Sequence, residues 1–352
     1  MSKLKLGVIF GGMSTEHDVS IVSATSIIQN LNKEKYDIYP IYIDKDGKWN
    51  KYTKNINEIK VLKVGDTIKE KEKILNEFEF LSNLDVVFPV LHGLYGEDGT
   101  IQGLLELLKI KYVGCKVLSS CVCMDKVYAK AVFAKAEIPQ ANYVYVKANN
   151  NNYTYVHNNF DEETLNLEDI CLKTEEKLGF PVFVKPSNSG SSVGINKAKN
   201  QQELKEAIIY ASKYDSKILI EEEIIGREVE CAVLGNDEVK ATCVGEILPA
   251  EEFYTFDAKY KNAESRVVIP AEIEHEKQEE IKKLAIKAFK AVDGKGLSRV
   301  DFFIKKSDNK VYINEINTLP GFTQISMYPK LWEASGIEYS KLLDHLINLS
   351  IR

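Results

Sequence analysis

The sequence predicts an α/β protein that turns α+β in its second half. Three observations carry this. The first third alternates strand and helix patterns, as a parallel sheet with crossover helices does. The middle third holds an apolar strand that runs into a small-residue loop and returns as a second strand. The last third is rich in strands and is interrupted by one long polar loop. At 352 residues the chain is long enough for two or three cores. We place the units at 1–124, 125–227 and 228–352.

In the first unit "LKLGVIFGG" reads as a strand, "DVSIVSATSIIQNL" as a helix, "YDIYPIYID" and "LDVVFPVLHG" as strands, and "GTIQGLLELLKI" as a helix. Residues 53–76 are rich in Lys and Glu and read as surface structure. The tetrad Asn149–Asn152 opens a polar, loop-like insertion to about Asp161. In the second unit "FPVFVKPSNSGSSVGI" is strand, loop and strand, "QQELKEAIIYASKY" an amphipathic helix and "KILIEEEI" a strand. The third unit offers strands "EVECAVLG" and "VKATCVGEIL", the loop "PAEEFYTFDAKYKNAES", a helix in "EHEKQEEIKKLAIKAFKAV", and strands "LSRVDFFI" and "VYINEIN".

Composition narrows the function. The chain is 44% apolar and 28% charged with a net charge of −6. That mild acidity argues against a nucleic-acid surface, which needs a concentrated basic face. No apolar run reaches the roughly 18 residues of a membrane span, and "MSKLKLGVIFGG" lacks the features of a signal peptide. A cytosolic protein is expected. The 6 cysteines form no C-x-x-C pair. Without His or a second Cys pair at zinc spacing they read as buried small residues.

The chemistry is concentrated at "VYINEINTLPGF". Glu315 and Asn317 are two apart, so a strand points both to one face. In "LSRVDFFI", Arg299 and Asp301 do the same, and "SDN" between the strands reads as a hairpin turn. A loop of three or five residues sets Asp301 opposite Glu315 and Arg299 opposite Asn317, about 4.5–5.5 Å apart. A two-residue turn puts the two carboxylates on opposite faces. Two carboxylates and an amide oxygen make a hard site suited to Mg²⁺. The plain alternative is a solvated face with an Arg299–Glu315 ion pair.

In "VKPSNSGSSVG", Lys185 ends an apolar strand before a loop able to turn N–H groups toward phosphate, with Ser191 and Ser192 adding hydroxyls. It is not G-x-x-x-x-G-K-[ST], so no P-loop fold follows. A lysine leaving a buried strand needs a charge partner, which a bland surface hairpin does not supply. Asp125 is placed to cap the helix that begins at Lys126. The acids Glu221, Glu222 and Glu223, with Glu228 beyond, read either as a solvated edge or as a hinge. Such a hinge offers backbone to an adenine edge and a carboxylate (Glu221 or Glu228) to ribose hydroxyls.

Taken in order, "GGMSTEHDVS", "FPVLHGLYGEDGTIQG", "CMDK", "VFVKPSNSGSSVG", "FDAKY", "SRVDFF" and "NEINTLPGFTQISMYP" resemble the ATP-grasp ligases, and within them the D-alanine–D-alanine ligase family. The resemblance implies an N-terminal parallel α/β domain and two α+β subdomains clamping ATP. It also implies ligation through an acylphosphate for peptidoglycan synthesis, with ATP and D-alanine as substrates. Lys126, Lys185 and Lys259 then neutralise phosphates. Asp301, Glu315 and Asn317 hold two Mg²⁺ ions, for which Mn²⁺ substitutes. Glu16 receives the first substrate's ammonium, and Arg299 and the Gly321 N–H face the reacting carbonyl. His92, Ser326 and Met327 contact substrate, while Ser191 and Tyr260 link the phosphate loop to a "FDAKY" lid over 250–265. A cytoplasmic homodimer without membrane or nucleic-acid partners is implied as well. The "EEEI" hinge departs from the family pattern, where a lysine or an apolar residue follows the first Glu. Competing readings are a D-Ala–D-Ser or D-Ala–D-lactate ligase, and a non-catalytic ATP-binding regulator.

Overall fold

A computed structural model describes residues 3–150, 152–191, 193–248 and 266–352. The first unit runs β1 (Leu4–Gly11), α1 (His17–Asn30), β2 (Tyr36–Ile43), β3 (Trp49–Tyr52), β4 (Lys71–Lys73), α2 (Glu77–Ser82), β5 (Val86–Val90), α3 (Thr100–Leu107) and β6 (Lys111–Tyr112). Its sheet has the order β4-β3-β2-β1-β5-β6. β1 pairs in parallel with β2 and β5, and β3 and β4 add antiparallel strands at one edge. β1 is uncharged from Leu6 to Gly11, where it is buried on both faces. Leu6, Val8 and Phe10 enter one core, and Ile9 enters the other.

The chain continues with α4 (Val117–Met124), α5 (Lys126–Lys135), β7 (Tyr143–Asn149), β8 (Asn152–Val156), β9 (Glu162–Leu165), α6 (Leu167–Leu178), β10 (Val182–Pro186), β11 (Asn196–Ala198), α7 (Gln201–Ala211) and β12 (Lys217–Glu222). These strands form an antiparallel sheet of order β11-β10-β12-β7-β8-β9. The third unit has β13 (Gly226–Gly235), β14 (Val239–Leu248), β15 (Arg266–Val268), α8 (His275–Ala291), β16 (Gly296–Lys305), β17 (Val311–Asn317), α9 (Met327–Ala334) and α10 (Tyr339–Ile351). Its sheet is β15-β14-β13-β16-β17.

Two helical segments tie the sheets together. α5 sends Ala129 and Phe133 into the core of the third sheet and Val127 toward Tyr143 and Leu219 of the second. At the far end, Leu342, Leu346 and Ile347 of α10 share a core with Leu6, Val8 and Phe10 of β1. One cleft of about 1400 Å³ is lined by all three units.

Several sequence expectations need correction. The Asn-rich insertion is not a loop throughout: β8 pairs with β7 and buries Tyr153 and Tyr155 on its alternating face. Residues 53–76 are not wholly surface, since Ile59, Ile68 and Ile74 are buried between their charged neighbours. Cys121 is exposed, although the other cysteines are at least partly covered and all are free. No helix among the described residues is long and apolar enough to cross a membrane.

The most informative correction concerns the β16–β17 hairpin. Asp301 does pair with Glu315, and Arg299 with Asn317. The loop, however, is neither three nor five residues long. Lys305 N–H donates to the Lys310 carbonyl, Ile304 faces Val311 and Phe302 faces Ile313, leaving 306–309 to turn. That even-length loop alone sets Asp301 against Asn314. A bulge between Asp301 and Phe302 takes up Asn314 and restores the register at the carboxylates.

Candidate active site

The second sheet presents its lysines by simple alternation. On β10, Val182 and Val184 go to the core while Phe183 and Lys185 face the cleft. Glu221 lies directly across from Phe183 on β12 and meets two ammonium groups. Lys185 pairs with its Oε1, and Lys130 reaches its Oε2 at 2.9 Å. Burial opposes the charge of Glu221, but Lys130 and Lys185 outweigh it and hold the carboxyl at about 2. Burial also works against Lys185, yet Glu221 keeps it above the ordinary lysine range. Glu221 is therefore the hub of a buried ion cluster. Lys130, one helical turn after Lys126, is a member that the sequence reading missed.

Lys126 sits at the start of α5, where Asp125 accepts from the N–H groups of Val127 and Tyr128. Its Nζ donates to the Ser189 carbonyl at 2.5 Å. Burial depresses its pKa, and Lys185 adds to that against the pull of Glu315. The loop after β10 is anchored at its base: Ser187 Oγ donates to Asp125 at 2.6 Å, and Asn188 N–H to Asp215 at 2.8 Å. Glu222 and Glu223 have structural partners. Glu222 accepts from the Asn142 N–H at 2.7 Å, and Glu223 pairs with Lys197 at 2.7 Å.

Across the cleft, β16 places Arg299 and Asp301 side by side. The guanidinium grips Asp301 with two hydrogen bonds of 2.7 and 2.6 Å and reaches Glu230 on β13 at 2.9 Å. Burial opposes this charge, but Asp301 and Glu230 hold Arg299 well above its ordinary range. Its closest partner is thus Asp301, not the Glu315 of the alternative reading. Asn317 Oδ1 accepts from the Leu319 N–H at 3.2 Å, which fixes the amide's orientation. Glu228 and Glu315 line the same cleft.

At the third wall, Glu16 precedes α1 and accepts a hydrogen bond from Ser191 of the loop after β10. Gly93 and Gly190 flank it closely. A Cβ on either would lie 2.5 or 2.7 Å from Glu16 Oε2 and would displace that carboxylate, and Gly93 also has a φ of 71° that favours glycine. Glu97, also missed in the sequence, accepts from the Gly93 N–H at 2.8 Å. Burial, then Glu16, pushes its carboxyl well above the ordinary glutamate range. His92 is buried with both ring nitrogens engaged, one with the Leu319 carbonyl at 3.0 Å and one with Ser23 Oγ at 2.9 Å. Ser326 precedes α9 and bonds Thr323 through its hydroxyl, while Gly321 lies beside it. Met327 lines the cleft but is 8% exposed, with its sulfur against Gly245. Ser192, Lys259, Tyr260 and the 250–265 lid lie outside the described residues.

Two antiparallel sheets closing on a cleft, one bearing buried lysines and the other carboxylates, define an ATP-grasp fold. A family model described as the D-ala D-ala ligase N-terminus matches residues 5–115, and one described as its C-terminus matches 132–348. A D-alanine–D-alanine ligase B of Clostridium tetani is 54% identical over 100% of this chain and 94% of the relative. A D-alanine–D-alanine ligase of Acetivibrio thermocellus is 52% identical over 99% and 96%. Among solved structures, a D-Ala:D-Ser ligase from Enterococcus faecalis aligns at TM-score 0.85 with 37% identity, covering 99% of both chains. The chain belongs to the D-alanine–D-alanine ligase family.

Proposed function

We propose that this chain joins two D-alanines to D-alanyl-D-alanine, using ATP and releasing ADP and phosphate, for peptidoglycan precursor synthesis. The observation that carries the reading is one cleft with three chemically distinct walls: Lys126 and Lys185, the Asp301–Glu315–Asn317 face, and Glu16 beside the Gly321 loop. A carboxylate oxygen of the first D-alanine attacks the γ-phosphorus, and the bond to ADP breaks. The second D-alanine's amine then attacks the acyl carbon, the C–O bond to phosphate breaks, and the amine loses a proton. Lysines along the phosphates and donors at the developing oxyanion supply positioning and charge stabilisation.

In this reading Lys126, Lys185, Ser191, Ser192 and Lys259 meet phosphate oxygens, and Glu228 meets the ribose. Glu221 acts by holding Lys185. Glu16 takes the first ammonium, Arg299 and Gly321 N–H face the reacting carbonyl, and Ser326 binds the second carboxylate. Mg²⁺, or Mn²⁺, fits Asp301, Glu315 and Asn317. Arg299 uses one lone pair on each Asp301 oxygen, which leaves further lone pairs for cations. Bound there, two such ions would neutralise phosphate charge. Work in the cytoplasm as a homodimer belongs to the same reading and rests on the family resemblance.

Phosphate release from ATP that depends on D-alanine tests the reading; ATP binding without turnover overturns it in favour of a regulator. D-serine is the second acceptor to test, because the Enterococcus faecalis structure is of a D-Ala:D-Ser ligase. Met327 favours D-alanine here. An apolar thioether offers the serine hydroxyl no strong partner, and burying an unpaired hydroxyl costs about 1–3 kcal/mol.

A further inference from the structure

Helix α1 buries an unusual number of hydroxyls: Ser20, Ser23, Thr25 and Ser26 are all covered. Ser20 bonds the ends of β1 and β5, and Thr25 bonds its own helix. Ser23 is different, because one partner, Phe322, lies in the loop that carries Gly321 and the other, His92, bonds Leu319 of that loop. The Leu319 carbonyl can only accept, so His92 Nδ1 carries the proton and Nε2 accepts from Ser23. Ser23 Oγ has lone pairs left, and the Phe322 N–H donates to it at 3.3 Å. Burial keeps His92 neutral, which this proton arrangement requires.

The backbone is thus held on both sides of Pro320–Gly321: at Leu319 by His92, and at Phe322 by Ser23. The same segment is fixed from beyond by Tyr339, whose hydroxyl donates to the Phe322 carbonyl at 2.5 Å and lies 3.3 Å from Ser26, one turn along α1. Glu16 stands at the start of this helix. One rigid element therefore sets both the ammonium-receiving carboxylate and the loop that carries the Gly321 N–H.

We propose that Ser23 is a positioning residue for the second chemical step, acting with His92 to aim the Gly321 N–H at the acyl oxygen. This rests on the ligase reading above. It also assigns His92 a role through the loop, since its ring has no nitrogen left for substrate. Amine attack on the acylphosphate develops an oxyanion on that carbon's oxygen, so it needs the loop. Formation of the acylphosphate develops charge on the phosphoryl group and does not.

The test separates the two steps. ATP labelled with ¹⁸O in the β,γ-bridge is incubated with enzyme, Mg²⁺ and D-alanine. Scrambling of label into the β non-bridge positions reports acylphosphate formation, and dipeptide release reports the whole reaction. In Ser23→Ala we expect dipeptide kcat to fall on the order of 10-fold or more, KM for ATP to hold, and scrambling per turnover to rise. In Ser23→Ala/His92→Gln we expect no more loss than in the worse single variant, since the two act as one unit. Scrambling and kcat falling together indicate general disruption and overturn the proposal, as does an unchanged kcat. Native enzyme giving neither scrambling nor dipeptide refutes the ligase reading itself, a distinct outcome.

Discussion

On the second sheet Glu221 stands between Lys130 and Lys185, all three largely withdrawn from water. On the third, Glu228, Glu230, Glu246, Asp301 and Glu315 line the cleft, where Arg299 pairs with Glu230 and Asp301 and Arg227 pairs with Glu246. The first arrangement is a closed ion cluster with excess positive charge, suited to meeting phosphate while holding its shape. The second carries more acids than bases among the described residues, which agrees with the proposed cation site. In the proposed reading, Glu221 on one wall holds its lysines in place, and the carboxylates of the other wall meet cations.

That contrast breaks most visibly at Glu221. Glu221→Gln leaves two buried ammonium groups without their carboxylate, and we expect a stability loss of about 3–5 kcal/mol in urea unfolding at pH 7. The pH dependence has a definite sign. The Glu221 carboxyl titrates at about 2, below the ordinary value of 4.5. Its contribution is therefore full above pH 4.5 and is lost as pH falls toward 2, amounting to about 3 kcal/mol. Glu221→Gln should flatten stability against pH within that window. An unchanged acid slope would mean that the cluster is not the stabilising element.

Glu315→Gln should show the opposite profile. It removes a charge from the face proposed to hold cations, so near-native unfolding is expected together with a turnover loss on the order of 10²-fold or more. Full activity at saturating Mg²⁺ would return Glu315 to a solvated-face role. Lys130→Met sharpens the first wall further. Glu221 keeps Lys185, so the loss should be only about 1–2 kcal/mol, well short of that for Glu221→Gln. Equal losses in the two variants would show that Lys185 alone cannot hold the carboxylate. The smallest effect is expected at Met327→Arg. The D-Ala–D-Ser to D-Ala–D-Ala product ratio should rise about 10-fold in an equimolar competition. A ratio that stays put would remove Met327 from acceptor choice.

The chemistry-bearing motifs were legible because each needs particular residue types at fixed spacing in a recognisable local frame. The parallel first sheet was legible for a similar reason: β1 and β5 are apolar runs joined by helix patterns. Other features were hidden by competing local signals. Tyr153 and Tyr155 alternate as a strand should, but the flanking asparagines read as loop. Lys130 reads as a helix-surface charge, and only its tertiary partner Glu221 explains its burial. Glu97 gains its character from burial and then from Glu16, which is remote in sequence. Ser23 could be found only once the Leu319–Phe322 loop was seen to close on α1.

The bulge at Asn314 has a consequence for how this hairpin can vary. What the carboxylate pair requires is that the ladder rising from the turn reach Asp301 and Glu315 together, with or without an extra residue beside them. Losing Asn314 would remove the bulge and keep that pairing, because the 306–309 turn by itself sets Asp301 against whichever residue follows Ile313. Adding one residue to the turn would leave the ladder in place and only lengthen the loop. The ladder nearest the turn is the constrained part: Phe302, Ile304, Val311 and Ile313 are all buried, and a one-residue slip would send Val311 and Ile313 to the other face. Length is therefore free at the turn and at the bulge, and the core holds the pairing between them.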